Sequence, residues 1–430
     1  MKFQIITLGC KVNAYESEFI RENLLSSGYF YDEKNPDIII INTCSVTNMA
    51  DRKSRKIVHK ARREHAKAIL VVVGCSTQNH QKDYEDMGID ILLGNREKSK
   101  IVFILKQFMK THQPYSYFTD ERDLDFEDMK VEKFNTHTRA FVKIQDGCNN
   151  FCSYCIIPYT RGNIRSKDFE STIEEVKTLV ANGHQEIVLT GIHTGSYSSS
   201  GHDLSDLIEE LAKIEGLERI RISSIEITEL NDHFLDLLKR EKKIANHLHI
   251  PLQSGSDVVL KRMNRKYDTH YFKEKIAQIR QIRPDISITT DCIVGHPYET
   301  KECFSDYVLF CQEMQFSKLH VFPYSMRTGT ASASMPQIDE TLKKERSHVL
   351  IELSERLEKR YYEKFIGRTL DVLMEEYEGM YTTGFTSNYI KVYLTGNYKL
   401  NQLYKCVIDR VEDTRVYGHA ISCLNDKIIL

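Results

Sequence analysis

Gly147-Cys-Asn-Asn-Phe-Cys-Ser-Tyr-Cys155 carries three thiols in a CxxxCxxC spacing. A four-iron cluster takes one thiolate per iron, so three ligands leave one iron open to another molecule. A structural zinc site is normally closed by four side chains, which here would require a distant ligand such as His184. The run follows a short apolar stretch, 140–145, that reads as a strand. Further strands are predicted over 186–190, 219–223, 247–251, 286–291 and 318–323. Amphipathic helices fit between them over 171–181, 203–214, 271–283 and 301–315. Six βα repeats imply a partial (βα)6 barrel over residues 137–366, with functional loops at the carboxyl edge of its strands. The cysteine run lies at that edge.

Three other cysteines share one context. Each ends a short apolar run: Phe3-Gln-Ile-Ile-Thr-Leu-Gly-Cys10, Asp37-Ile-Ile-Ile-Ile-Asn-Thr-Cys44 and Ala68-Ile-Leu-Val-Val-Val-Gly-Cys75. Runs rich in Ile and Val, followed by helix-forming stretches, read as buried parallel strands in βα units. Loops after parallel strands emerge on one edge of the sheet, where open α/β folds bind ligands. Cys10, Cys44 and Cys75 are therefore expected to converge into a second three-thiolate site within an open α/β domain spanning residues 1–118.

The chain of 430 residues is long enough for several domains, and its 41% hydrophobic content is ordinary for a soluble protein. No apolar run approaches the roughly 20 residues that span a bilayer. The amino terminus leads straight into a strand and has no cleavable signal pattern. A cytoplasmic location with no membrane partner follows, where cysteine groups favour metal or catalysis over disulfides. Cys292, Cys303, Cys311, Cys406 and Cys423 have no ligand-like spacing and read as buried small apolar residues. A net charge of -2 does not by itself point to nucleic acid.

The acidic stretch 119–128 opens a linker or extended excursion reaching residue 136. A long charged helix is expected over 342–365. Past Gly367 the texture changes to short alternating strands, read as a small β-barrel over 367–430. The fold class is thus α/β, with an open α/β domain, a partial parallel barrel and a terminal β-barrel.

The two cysteine sets, with His249-Ile-Pro-Leu-Gln-Ser-Gly-Ser256 and Leu319-His-Val-Phe-Pro-Tyr-Ser325, resemble the methylthiotransferase family of radical S-adenosylmethionine (SAM) enzymes. The resemblance spans essentially the whole chain, in the family's order of cluster domain, radical-SAM barrel and TRAM domain. Asn42-Thr-Cys-Ser-Val-Thr-Asn-Met-Ala-Asp-Arg-Lys-Ser-Arg55 is most similar to the branch acting on N6-threonylcarbamoyladenosine (t6A) at position 37 of tRNA, which gives ms2t6A. Two places depart from the family pattern. Its usual Gly-Phe-Pro-Gly-Glu-Thr turn reads Gly295-His-Pro-Tyr-Glu-Thr300, and Ile227 stands where a proline commonly follows Ser-Ser-x-Glu.

The resemblance implies two [4Fe-4S] clusters and SAM as cofactors. Cys148, Cys152 and Cys155 would hold the SAM-binding cluster. Cys10, Cys44 and Cys75 would hold an auxiliary cluster carrying the sulfur to be transferred. One SAM would methylate that sulfur and a second would supply a 5'-deoxyadenosyl radical to remove hydrogen from C2 of the adenine. Tyr154, Thr190, Gly191, Glu226 and Gly295 are the implied SAM contacts. Implied partners are the tRNA, a sulfur donor, and an electron donor such as a flavodoxin or ferredoxin system.

For RNA, the strongest local feature is Arg52-Lys-Ser-Arg-Lys-Ile-Val-His-Lys-Ala-Arg-Arg63, with Arg52, Lys53, Arg55 and Lys56 as the leading phosphate contacts. Lys261–Lys266 is a second basic candidate. Tyr377, Tyr381, Phe385, Tyr389 and Tyr393 either stack on bases or fill the terminal barrel. Two alternatives remain open: the same chemistry on isopentenyladenosine or a ribosomal protein, and a non-enzymatic metal or redox protein that binds RNA.

Overall fold

The computed structural model describes residues 1–135 and 137–424. Its first unit is a parallel sheet of β1 (Lys2–Thr7), β2 (Phe30–Tyr31), β3 (Ile38–Thr43), β4 (Ile69–Gly74), β5 (Ile91–Leu93) and β6 (Tyr115–Tyr117), ordered β2-β1-β3-β4-β5-β6. Every residue of β3 is buried, which explains its unbroken Ile run. The strand order reverses between β1 and β3, a switch point whose carboxyl side forms a crevice. Helices α1 (Lys11–Ser26), α2 (Asn48–Glu64) and α3 (Cys75–Asn79) begin there, after β1, β3 and β4.

The second unit contains β7 (Ala140–Lys143), β8 (Glu186–Thr190), β9 (Arg219–Ile222), β10 (His247–His249), β11 (Ser287–Val294) and β12 (Lys318–Pro323). They form two parallel three-stranded arcs, β9-β8-β7 and β10-β11-β12. A parallel bridge between Ile220 and Ile244 joins the arcs. The long helix Glu340–Glu363 lies along β12, placing Leu350, Leu353 and Leu357 in the barrel's core. Helix α1 packs on β7, and its Tyr15 belongs to the same core. The first unit thus covers an edge that six strands leave open.

Residues 119–135 contain no helix or strand, yet they strap the two units together. Met129, Val131 and Phe134 are buried in the barrel's core. Glu127 Oε1 accepts hydrogen bonds from the Ser99 backbone N–H at 2.7 Å and hydroxyl at 2.6 Å. Tyr15 donates to the Met129 carbonyl, and the Val131 N–H donates to Glu175 at 2.8 Å.

The terminal unit is a closed barrel of β13 (Thr369–Glu378), β14 (Tyr381–Thr386), β15 (Lys391–Thr395), β16 (Leu403–Glu412) and β17 (Arg415–Cys423), ordered β13-β14-β15-β17-β16. Val372, Met374, Ile390, Val392, Leu394, Ile408 and Val416 fill its core, joined by Tyr361 and Phe365 from the end of the long helix and the residues after it. Arginines dock it to the parallel barrel. Arg219 donates to the Phe385 and Asp371 carbonyls and Arg221 to those of Ser387 and Thr386, each at 3.2 Å, while both hold Glu186. No helix among the described residues is long and apolar enough to cross a membrane.

Candidate active site

Cys44 and Cys75 directly follow β3 and β4, Cys10 follows β1 after Leu8 and Gly9, and the three meet at the switch-point crevice. Gly9 and Gly74 hold positive φ of 97° and 122°, so the chain turns sharply before Cys10 and Cys75. A Cβ on Gly74 would stand 2.5 Å from the Thr43 carbonyl, so only glycine lets these strand ends approach. Asn13 ties β1 to β3, donating to the Leu8 carbonyl at 2.7 Å and the Thr43 carbonyl at 2.9 Å. Cys44 and Cys75 are buried while Cys10 is exposed, so the set opens to solvent on the Cys10 side. Burial, followed by the neighbouring Cys75 and Cys10, pushes the Cys44 thiol up to about 12. Three soft donors meeting at one crevice fit a metal cluster, which deprotonates its ligands on binding.

The CxxxCxxC loop leaves β7 at the barrel's carboxyl edge. Cys155 is likewise pushed up to about 12, first by burial and then by Cys152 and Cys148. Arg265 donates to the Cys152 sulfur at 3.3 Å and pairs with Glu226. His193 Nδ1 lies 4.0 Å from the Cys148 sulfur and its Nε2 lies 2.5 Å from Glu229. Burial opposes the His193 charge, but the contacts with Cys148 and Glu229 outweigh it and raise its pKa to about 10. Two cations and two carboxylates therefore border this set. A small pocket opens beside Cys152, lined by Asn150, Glu226, Thr228, Arg265 and Tyr267 among others.

The two cysteine sets share a wall. Helix Ile157–Arg161 begins just after Cys155. Asn95 Nδ2 lies 3.4 Å from the Cys75 sulfur and donates to the Thr160 carbonyl of that helix at 3.2 Å. Thr160 in turn donates to Asn79 at 2.6 Å, and Asn79 donates to Ser45, next to Cys44, at 2.9 Å.

The residues implied as SAM contacts occupy different surroundings. Glu226 borders the Cys152 pocket. Thr190 is buried at the end of β8. A Cβ on Gly191 would stand 2.9 Å from Gln145 Oε1, which accepts the His193 N–H at 2.7 Å, so this glycine permits the turn that aims His193. Tyr154 packs with Val259 and Met263, its ring 6.4 Å from that of His296. Gly295 lies against Lys343 of the long helix, and its N–H is taken by Glu299 at 2.8 Å. The family departure at His296 has a local role, because its Nε2 sits 2.8 Å from Ser332 and 3.5 Å from Ser153 within the cysteine loop.

Sequence reasoning missed Asn95, Arg161, His193 and Arg327. Within the second basic candidate (261–266), Lys261, Arg262 and Lys266 are exposed, whereas Arg265 turns inward to Cys152. Arg327 follows β12 and donates to Asp51 at 2.6 Å, Asn48 at 2.8 Å and Ser45 at 2.7 Å, anchoring the start of α2 to the barrel. Arg52, Lys53 and Lys56 on α2 are exposed and make no ion pair among the described residues, whereas Arg55 pairs with Asp83 at 3.1 Å. Arg52, Arg55, Lys56, His59, Lys60 and Arg63 line one shallow groove. None of the five aromatics singled out in the terminal barrel belongs to its core cluster. Phe385 and Tyr389 stack at 5.0 Å under Arg139, facing the parallel barrel, while Tyr381 and Tyr393 meet edge to face at 5.9 Å. Tyr377 is exposed. Of the five spacing-free cysteines, four are buried and Cys423 is partly exposed.

Residues 142–311 match the radical SAM superfamily, and residues 2–94 match uncharacterized protein family UPF0004. The chain is 43% identical to the threonylcarbamoyladenosine tRNA methylthiotransferase MtaB of Bacillus subtilis (strain 168), over 91% of this chain and 89% of the relative. It is 32% identical to the tRNA-2-methylthio-N(6)-dimethylallyladenosine synthase of Pelotomaculum thermopropionicum, over 87% of this chain and 86% of the relative. In fold it is similar to the radical SAM methyltransferase TsrM of Kitasatospora setae, with a TM-score of 0.57 and 14% identity over 77% of this chain and 76% of that one. With its fold, paired cysteine sets and relatives in agreement, the chain belongs to the radical-SAM methylthiotransferase family.

Proposed function

We propose that the protein adds a methylthio group to C2 of t6A at position 37 of tRNA, giving ms2t6A. Family membership brings SAM and a [4Fe-4S] cluster. The reading assigns that cluster to Cys148, Cys152 and Cys155, and a second [4Fe-4S] cluster to Cys10, Cys44 and Cys75. The observation that carries it is the shared wall, where Asn95 joins Cys75 to the helix leaving the other cysteine loop. The choice of t6A rests on the higher identity to the threonylcarbamoyladenosine enzyme, 43% against 32% for the dimethylallyladenosine enzyme.

When bound, SAM and the clusters supply the radical and the methylthio group. The chain's own residues hold and aim these groups. Glu226 and the Arg265 beside Cys152 border the pocket assigned to SAM. Thr190, Gly191, Tyr154 and Gly295 shape the loops around it. Arg52, Lys53 and Lys56 on α2 offer free cations to tRNA phosphates beside Cys44, with Arg55 shared with Asp83. An electron donor of flavodoxin or ferredoxin type and a separate sulfur donor complete the cycle.

Nucleoside mass spectrometry of tRNA tests the reading, in a host lacking ms2t6A that receives the intact gene or its Cys148→Ala form. The expected result is ms2t6A with the intact gene only. Appearance of ms2i6A in its place would move the substrate to isopentenyladenosine.

A further inference from the structure

Beneath the Cys10, Cys44 and Cys75 set lies a buried cluster of charges contributed by both units. Glu16 and Asp146 face Lys98, Lys143, Arg161 and Arg165, two carboxylates against four cations, with all six side chains at 8% exposure or less. An uncompensated buried cation is costly, so this excess calls for a negative group close by. The set bordering Cys148 and Cys152 shows no such excess, because Arg265 and His193 are matched by Glu226 and Glu229.

Arg161 reaches toward the thiols through Asn13, as Lys98 does through Asn95. Its Nη2 donates to Asn13 Oδ1 at 3.0 Å, and the Cys10 sulfur lies 3.8 Å from that same oxygen. Its neighbour Thr160 is joined to Cys75 through Asn95. Cys75 and Cys10 are among the groups that hold Arg161 charged against its burial. Its Nη1 is taken by Asp146 at 3.1 Å and Glu16 at 3.3 Å, whereas its Nε–H, on a residue only 3% exposed, has no acceptor among the described residues.

We propose that Arg161 is a positioning residue that binds a sulfur anion of hydrosulfide or thiolate type at the Cys10, Cys44 and Cys75 site, through its free Nε–H and its charge. The proposal rests on the reading that this set holds a cluster. It deepens that reading by naming what the protein offers to the sulfur awaiting transfer. The remaining cations, Lys98, Lys143 and Arg165, still pair with Glu16 and Asp146 when Arg161 is replaced, so the fold retains its counter-charges.

The test uses full-length protein with Cys148, Cys152 and Cys155 all changed to alanine, which leaves only this site, reconstituted anaerobically with iron and sulfide. Methanethiol is titrated against the reduced cluster and followed by electron paramagnetic resonance, and the reduction potential is measured in parallel. Arg161→Met is expected to keep about four irons, to weaken methanethiol binding roughly tenfold to hundredfold, and to shift the potential to a more negative value. Arg161→Lys is expected to restore the potential and only part of the affinity. Unchanged affinity and potential in an iron-loaded Met variant would overturn the proposal. If the Met variant holds no iron, the Lys variant decides, and unchanged affinity there overturns it. A triple-alanine protein that takes up no iron would remove the underlying cluster reading as well.

Discussion

The Cys44 sulfur lies 2.5 Å from the point where a Cβ on Gly9 would stand, and Gly9 holds φ at 97°. Any side chain at this position would both strain the turn and push Cys44 out of line with Cys10. Gly9→Ala is therefore expected to halve the iron of the reconstituted protein, from about eight to about four per chain. Iron analysis on the Gly9→Ala and wild-type proteins checks this, and the residual cluster is expected to keep its SAM-dependent formation of 5'-deoxyadenosine.

The exposed face of α2 makes a graded prediction. Arg52, Lys53 and Lys56 are unpaired among the described residues, whereas Arg55 is shared with Asp83. Each of Arg52→Ala, Lys53→Ala and Lys56→Ala is expected to reduce the slope of log affinity against log salt by about one. Arg55→Ala is expected to reduce it less. Fluorescence anisotropy of labelled tRNA across a salt series reads both, and equal slopes for all four variants and the parent would count against an α2 contact.

Docking of the terminal barrel is sensitive to acid. Burial works to raise the Glu186 pKa, but Arg221 and Arg219, with Arg139, overcome it and hold the carboxyl down at about 2. Because this folded value lies below the ordinary 4.5, the pair's stabilisation is complete above pH 4.5 and disappears as pH falls from there toward 2. The shift corresponds to about 3 kcal/mol. Thermal unfolding followed between pH 5 and 3 is expected to show a shallower loss in Glu186→Gln than in the parent, with the mutant already weakened at neutral pH.

Arg327 makes the corresponding link between α2 and the barrel. Asp51 is 3% exposed, and Arg327→Met would remove its guanidinium partner and leave that buried carboxylate to Ser45 and His80, at a cost of about 3 kcal/mol. The double variant Asp51→Asn/Arg327→Met is expected to recover much of this, since it also removes the buried carboxylate charge that Arg327 had balanced. Urea denaturation of the single and double variants measures the difference.

Much of the architecture was legible from local pattern. The Ile and Val runs before Cys10, Cys44 and Cys75 became adjacent parallel strands, and the barrel strands 186–190 and 318–323 were found with their observed limits. Strand β14 carries no clear alternating pattern in sequence, because Gly384 interrupts it. Gly384 is there for close approach, since a Cβ would stand 2.1 Å from the Leu373 carbonyl beside a bulge in β13. The cysteine sets were legible because their spacing or strand-end context is local. The residues that tune them were not. Arg161 meets Asn13 across 148 residues, Arg265 meets Cys152 across 113, and Arg327 meets Asp51 across 276. An isolated arginine in sequence carries no sign of a partner that distant.

The central claim is that both cysteine sets serve one reaction on t6A. The most direct measurement is product formation by the purified, anaerobically reconstituted protein with an anticodon stem-loop carrying t6A at position 37, SAM and a reductant, read by mass spectrometry. The account predicts ms2t6A from the intact protein and none from either Cys44→Ala or Cys148→Ala, with 5'-deoxyadenosine still formed by Cys44→Ala. Undiminished ms2t6A from Cys44→Ala would contradict it.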